Sequence, residues 1–492
     1  MATSEESNGL PVCPAGGADS ARADQNREGP PLRWDTAVPH SLNPIRGHLV
    51  RTRKTTGWAW RSHPSKPPLS IRNLSGLSVK RLEYGCGVRP TDMLAAFLRV
   101  GIAFLLAGAA AAVLNAADLL GWYGHWLALH LVLLGGVSQL ILGAGQFFST
   151  AFLATDPPGR RMVSAQLTTW SAGAILVAVG VPTRHSMLTD LGGAAVIAGL
   201  GLFATALWQL EHRSLQRARW AIRWYYAAAA SLGIGAVIGI AMARTTHWPY
   251  GSLLGAHLTL NLAGWLGTAI VGTLHTFYPS LTQTLLRRPR LQAPTFVAWT
   301  AGVAVLAYGY AFNIEAAITL GWAGLTSAAL LLVVNVGGCA RSADRPLSLA
   351  AQLVGVAQTF LLAGLLVGLL KVLGDGPYAP VYGTSRDALA VLLLAGWVGL
   401  TVAGSLLHLL GVLHRVRDFT RTTRPATPTP DLLVTTCATT AVAALALSSA
   451  PGLDGLQLPA EIVVVAVAVV IAVRVLALVA RSARPGRGTL TP

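Results

Sequence analysis

The chain has 492 residues, of which 53% are hydrophobic and 12% charged, with a net charge of +17. A soluble protein of that length would carry about 25% charged residues and split into domains joined by polar linkers; the mean hydropathy of +0.54 excludes that class. The positive charge does not point to nucleic acid: the Arg residues sit mostly between hydrophobic blocks rather than in a stripe with interleaved aromatics, so they read as topology signals.

Residues 1–90 are rich in Gly, Pro, Ser and Arg and lack hydrophobic periodicity, which predicts a disordered, basic cytoplasmic extension. No apolar core or cleavage site follows Met1, so this is not read as a signal peptide. An alternative is a gene start at Met93, where the first apolar block opens. Asn73 to Tyr84 has the pattern of a short surface helix. Beyond it, residues 91–482 are expected to form a twelve-span transmembrane domain, and 483–492 a cytoplasmic tail. The blocks fall near 93–117, 122–152, 164–182, 187–210, 222–243, 252–283, 294–313, 315–339, 347–372, 387–415, 431–450 and 459–481. Each can cross a hydrocarbon core of about 30 Å as a helix. None alternates polar and apolar residues as a membrane barrel strand must.

The charges between blocks test the count. The connections after the even spans carry Arg160/Arg161, Arg213/Arg217/Arg219, Arg287/Arg288/Arg290, Arg341/Arg345 and Arg415/Arg417/Arg421. Those after the odd spans are nearly free of basic residues; Arg184, Arg244 and Arg386 are the main exceptions. This asymmetry predicts both termini in the cytoplasm and a multi-pass protein of the cytoplasmic (plasma) membrane, with the lipid bilayer as its partner. The four Cys (Cys13, Cys86, Cys339 and Cys437) are scattered, with no CxxC or zinc-type spacing.

An internal repeat is visible. Span six reads Ala263-Gly264-Trp265-Leu266-Gly267 and then Gly272-Thr273-Leu274; span ten reads Ala395-Gly396-Trp397-Val398-Gly399 and then Gly404-Ser405-Leu406, an offset of 132 residues. Span two carries a weaker copy at an offset of 129, matching Gly135 to Gly264, Gly143 to Gly272 and Phe148 to Phe277. The expected fold is an all-α membrane protein of twelve helices in three pseudo-threefold four-helix units.

Of twelve His, six fall on the three related spans: His125 and His130, His257 and His275, His408 and His414. Ionisable groups in a bilayer face the bundle interior, and neutral imidazole is a common ligand for haem iron and copper. At about 100° per residue, His257, Asn261, Gly264, Thr268, Gly272 and His275 form one small, polar stripe. His257 and His275 lie about 27 Å apart along the axis and cannot share a metal. Transferring the face to span two selects His125 as the partner of His257 at an outer metal site, with His130 in reserve; on an ideal helix His130 points elsewhere. His275 and His408 are candidates for an inner cluster, and His414 reads as a headgroup-level residue beside Arg415.

Twelve spans, an inside N-terminus, three four-helix units and His on spans two, six and ten resemble the fold of haem–copper oxidase subunit I. They also resemble its non-oxidase relatives, such as the NnrS group linked to nitric oxide stress. The resemblance covers residues 92–481. In oxidases a Tyr lies four residues after the copper-ligating His of the sixth span; here Asn261 follows His257 at that distance. Ala293 to Asn313 lacks the two adjacent copper-ligating His of the seventh span. Leu389 to Gly399 lacks the two haem-ligating His of the tenth, and His408 lies deeper. The oxidase copper centre, its Tyr and the reduction of oxygen are therefore not carried over. The resemblance implies a relative that binds haem or copper through His125, His257, His130, His275 or His408. It would act in respiration-linked redox chemistry or in nitric oxide or copper handling, with an electron-donor protein as partner. The alternative is a multi-span transporter or channel without a redox cofactor, its path lined by the stripe of span six. An enzyme acting on a lipid or carotenoid would need several His and acidic residues at one depth, a cluster the sequence does not show.

Overall fold

The computed structural model describes residues 89–214, 219–244, 248–417 and 428–483. The expected basic extension, the surface helix at 73–84 and nearly all of the C-terminal tail lie outside the described residues. Among the described residues there is no strand, and twelve helices are long and apolar enough to cross a membrane. They are α1 (Pro90–Ala116), α2 (Gly121–Leu153), α3 (Arg160–Gly180), α4 (Ser186–Arg213), α5 (Trp220–Ala243), α6 (Tyr250–Thr282), α7 (Pro289–Phe312), α8 (Glu315–Arg341), α9 (Leu349–Asp375), α10 (Arg386–Val416), α11 (Pro430–Leu447) and α12 (Asp454–Ala480). Every bound lies within five residues of an expected block. Turns are tight: Asn313, at φ +56°, closes α7 in the left-handed conformation that Asn tolerates, and α8 opens two residues later. The side on which α2, α6 and α10 begin is called outer, following the charge pattern.

Without a hydrophobic drive between helices in lipid, close approach depends on small residues at the contacts. Three glycines on α2, α6 and α10 receive side chains from the helix before each. A Cβ on Gly135 would overlap Phe104 of α1, one on Gly264 would stand 2.6 Å from Ser231 Cβ of α5, and one on Gly396 would stand 2.7 Å from Phe360 Cγ of α9. Further in, Gly143 takes Phe97 of α1, Gly272 takes Trp224 of α5, and Gly404 lies against the Ala350 carbonyl of α9.

The same three helices share a second feature, which corrects the ideal-helix expectation. Each contains a π-helical segment: Leu131–Val137 in α2, Thr259–Gly267 in α6 and Val391–Gly399 in α10. The i→i+5 pairing of a π turn advances each residue by less than an α turn does. A face extrapolated through these segments at a constant angle is therefore rotated.

Helix α4 packs on α5, and α8 packs on α9, where Trp322 fills the space beside Gly368. Helix α12 packs on α10 and α11 but has no comparable contact with α1. Asp431 of α11 accepts from Arg474 of α12 at 3.0 Å, and Arg244 bonds Asp190 through Nε at 3.2 Å, joining the outer ends of α5 and α4.

Gly272→Ala is expected to push a methyl into the fully buried Trp224 and cost about 1–3 kcal/mol, the usual penalty of overpacking, seen as a lower thermal midpoint in detergent. Gly201→Ala on α4, whose Cβ meets open space, should leave the midpoint unchanged; equal losses would contradict the packing.

Candidate functional site

The π segments are the most distinctive feature of the bundle interior, and tryptophans satisfy two of the three, those of α2 and α6. A wide turn leaves carbonyls short of backbone partners, which hydrocarbon does not tolerate. Trp170 Nε1 of α3 donates to the Leu134 carbonyl at 3.0 Å, and Trp299 Nε1 of α7 donates to the Ala263 carbonyl at 3.1 Å. Each segment also receives a hydroxyl from five residues on: Ser138 Oγ bonds Leu133 O at 2.8 Å and Thr268 Oγ1 bonds Ala263 O at 3.2 Å.

The two tryptophans of the repeated sequence close the arrangement. Trp265 Nε1 donates to Ser138 Oγ at 2.9 Å, with its ring 6.2 Å from that of Trp170. Trp397 Nε1 donates to Gln358 Oε1 at 3.2 Å, with its ring 6.2 Å from that of Trp299. All four indoles are at most 3% exposed. The sequence reading used Trp265 and Trp397 as repeat markers and passed over Gln139, Gln146, Gln166 and Gln358. These buried amides bond Ser171, each other and Thr401. Their signal was available, since an amide in the middle of an apolar span must find a partner.

Inward of the π segments, α2, α6 and α10 meet α1 and α5 around a cavity of about 80 Å³. Ile141, Tyr225, Ile270, Thr273, Thr401 and Leu406 are on its wall, and Tyr225 Oη is bonded to Thr273 Oγ1 at 2.8 Å.

The histidines distribute as follows. His130 is half-buried; its Nδ1 bonds the Trp126 carbonyl at 2.9 Å and its ring stacks on Trp126 at 3.9 Å. His257 is also half-buried, and its Nδ1 bonds the Gly235 carbonyl of α5 at 3.0 Å. A carbonyl only accepts, so in each neutral ring Nδ1 carries the proton and Nε2 keeps a lone pair. The Asn261 amide donates to the His257 carbonyl at 2.7 Å; its 3.2 Å approach to Nδ1 is not a second bond while Nδ1 is protonated. His125 is exposed and turns instead to a groove shared with α1, α10 and α12.

His275 is 2% exposed, bonds the Val271 carbonyl through Nδ1 at 2.8 Å, leaves Nε2 unpartnered and stacks on Trp224 at 5.8 Å. His408 meets Phe277 edge-on at 5.5 Å. Phe277 and His275 sit about 200° apart around α6, so the inner candidates face different neighbours. Of the expected stripe, His257, Asn261, Gly264, Gly272 and His275 face α5 and are not open, while Thr268 leaves it and accepts from Trp299 Nε1 of α7 at 3.1 Å.

Among the described residues no group of three or more His, Cys, Asp or Glu could hold a metal ion. The donors present therefore do not fit a three-imidazole copper site. In both rings, those of His130 and His257, the tautomer leaves Nε2 as the nitrogen that would hold a haem iron.

Fold and interior together define a multi-pass α-helical membrane protein. No family model and no curated protein matches the chain.

In a double-mutant cycle, Trp265→Phe and Ser138→Ala should show a coupling of about 0.5–1.5 kcal/mol, the net worth of one hydrogen bond. Additive losses in the unfolding free energy would mean the indole bond contributes nothing.

Proposed function

We propose that the chain is a haem-binding redox membrane protein, a non-oxidase relative of haem–copper oxidase subunit I, in which His130 and His257 hold the iron. The observation that carries this reading is the matched pair itself. Both imidazoles sit in the outer halves of helices that share the Gly-rich repeat. Both have Nδ1 tied to a backbone carbonyl. A ligating His whose other nitrogen donates to a carbonyl is held in one tautomer and one orientation. The Trp126 carbonyl and ring do this for His130, and Gly235 does it for His257. Bound haem would supply one-electron chemistry, with electrons arriving from a donor protein.

The reading includes three four-helix units around a pseudo-threefold axis. Three facts support it: a π segment on each of α2, α6 and α10, glycines that receive α1, α5 and α9 in the same way, and the Trp170–Trp265 and Trp299–Trp397 pairs. It also takes both termini as cytoplasmic and the membrane as the plasma membrane, on the Arg asymmetry. A transporter or channel without redox cofactor is the second reading. The hydroxyl-bearing central cavity favours it; the lack of any carboxylate, Lys, Arg or His on that wall weighs against ion coupling.

Protein purified from haem-replete cells should show a Soret band, lost in His130→Ala and in His257→Ala. His212→Ala should keep it: that ring has the same Nδ1-to-carbonyl bond but is exposed. Purified protein without a Soret band sinks the proposal.

A further inference from the structure

Three arginines gather at the inner ends of α6, α7 and α8. Arg287 and Arg288 come from the connection 283–288, and Arg341 closes α8. They line one pocket with Leu285, Leu286 and Gly338. Two local devices bring them together. The Cys339 thiol donates to the Leu285 carbonyl at 3.7 Å, which pins the connection against the last turn of α8. Gly337 and Gly338 leave that turn bare where the arginines approach. A Cβ on Gly338 would stand 3.5 Å from Arg287 Cβ, and one on Gly337 would stand 3.3 Å from a guanidinium nitrogen of Arg341. Arg341 thus folds back along its own helix, and Arg287 lies against the same turn.

The pocket concentrates positive charge with nothing of its own to balance it. No Asp or Glu is on its wall. Asp344 is the one acidic residue on the connections 283–288 and 342–348. It is exposed and, among the described residues, pairs with none of the three arginines. Elsewhere Arg244, Arg386 and Arg474 each have a carboxylate. Guanidiniums gathered in one pocket repel one another and favour an anion among them. Their planar N–H forks match the oxygens of a phosphate.

Position identifies which phosphate. The pocket lies where α8 and the connection leave the apolar spans, at the level of the headgroups. Beside the arginines, Leu285 is 84% exposed, the most exposed large apolar side chain among the described residues. A free anion would leave that side chain in water, whereas a phosphodiester carried on glycerol brings an acyl chain to cover it. A zwitterionic headgroup adds an ammonium that no carboxylate on this wall would receive. The fit is to a lipid of net negative charge, the chemistry that basic pockets between membrane helices select.

We propose that this pocket binds the phosphodiester of an anionic phospholipid of the inner leaflet, held by Arg287, Arg288 and Arg341, with its acyl chain against Leu285. The lipid ties the connection between α6 and α7 to the end of α8. This is independent of whether haem is bound.

In the test, the full chain in detergent is titrated with phosphatidylglycerol, with phosphatidylethanolamine of the same acyl chains, and with phosphatidylglycerol against a millimolar excess of inorganic phosphate. Native mass spectrometry follows the first bound lipid. Phosphatidylglycerol should bind several-fold more tightly than phosphatidylethanolamine and should resist the phosphate. Arg287→Gln and Arg341→Gln, one from each wall, should each weaken phosphatidylglycerol about tenfold, the worth of a hydrogen bond to a charged group. Arg290→Gln removes the same charge from the same stretch of chain but from outside the pocket wall, and should change the affinity less than about twofold. All three arginines are exposed, so none is needed for the core. Equal binding of the two lipids, no loss in either pocket variant, an equal loss in Arg290→Gln, or displacement of the lipid by inorganic phosphate would overturn the proposal.

Discussion

A backbone that leaves the α-helical path inside hydrocarbon must have its carbonyls satisfied by something other than water. In two of the three π segments of this protein, those of α2 and α6, that something is the indole N–H. Trp170 and Trp299 reach the π segments of α2 and α6 from the next helix along, and the hydroxyls of Ser138 and Thr268 reach them from within. Much of the interior follows from this. The indoles must be buried to reach their acceptors, so they fill the middle of the bundle. The glycines at 135, 264 and 396 must stay small so that α1, α5 and α9 can close over the widened turns. Trp265 then ties α6 to α2 by a hydrogen bond and to α3 by a ring contact, while Trp397 meets Trp299 of α7 with its ring and bonds Gln358 of α9.

How much of this was legible from the amino acids depended on whether the signal was additive or geometric. The twelve spans were legible because each depends on about 20 side chains summed together, and no single residue decides the outcome. The shared face from His257 to His275 was legible as well. What covers it was not, because Gly235 and Trp224 of α5 look unremarkable in isolation and only their approach to α6 gives them meaning.

The histidine assignment shows the limit most clearly. A constant helical angle selects His125 as the residue facing His257. The structure gives His125 to the groove and anchors Nδ1 of His130 and of His257 on backbone carbonyls. The π segments differ in length, seven residues in α2 and nine in α6, so a face carried by sequence offset from the inner halves does not arrive at the same place in the outer halves. No propensity in the sequence announces a π turn. Two nearby glycines and a hydroxyl five residues after a carbonyl are compatible with one but also with an ordinary packed helix.

The Arg474–Asp431 pair bears on how the chain enters the membrane. An arginine within a span costs about 2.5–3.5 kcal/mol at the helix centre during insertion. Helix α12 has the highest mean hydropathy of the twelve, at 3.2, and its run of Val and Ile residues, each contributing about −0.3 to −0.6 kcal/mol, covers that cost. Asp431 precedes Arg474 by 43 residues and is 3.0 Å from it in the folded protein. The carboxylate is therefore already synthesised when the arginine emerges, and the last two helices can leave the translocon as a hairpin with this arginine already neutralised. The C-terminal end of the bundle would then be a biogenesis unit in its own right, added to ten helices that are already in place.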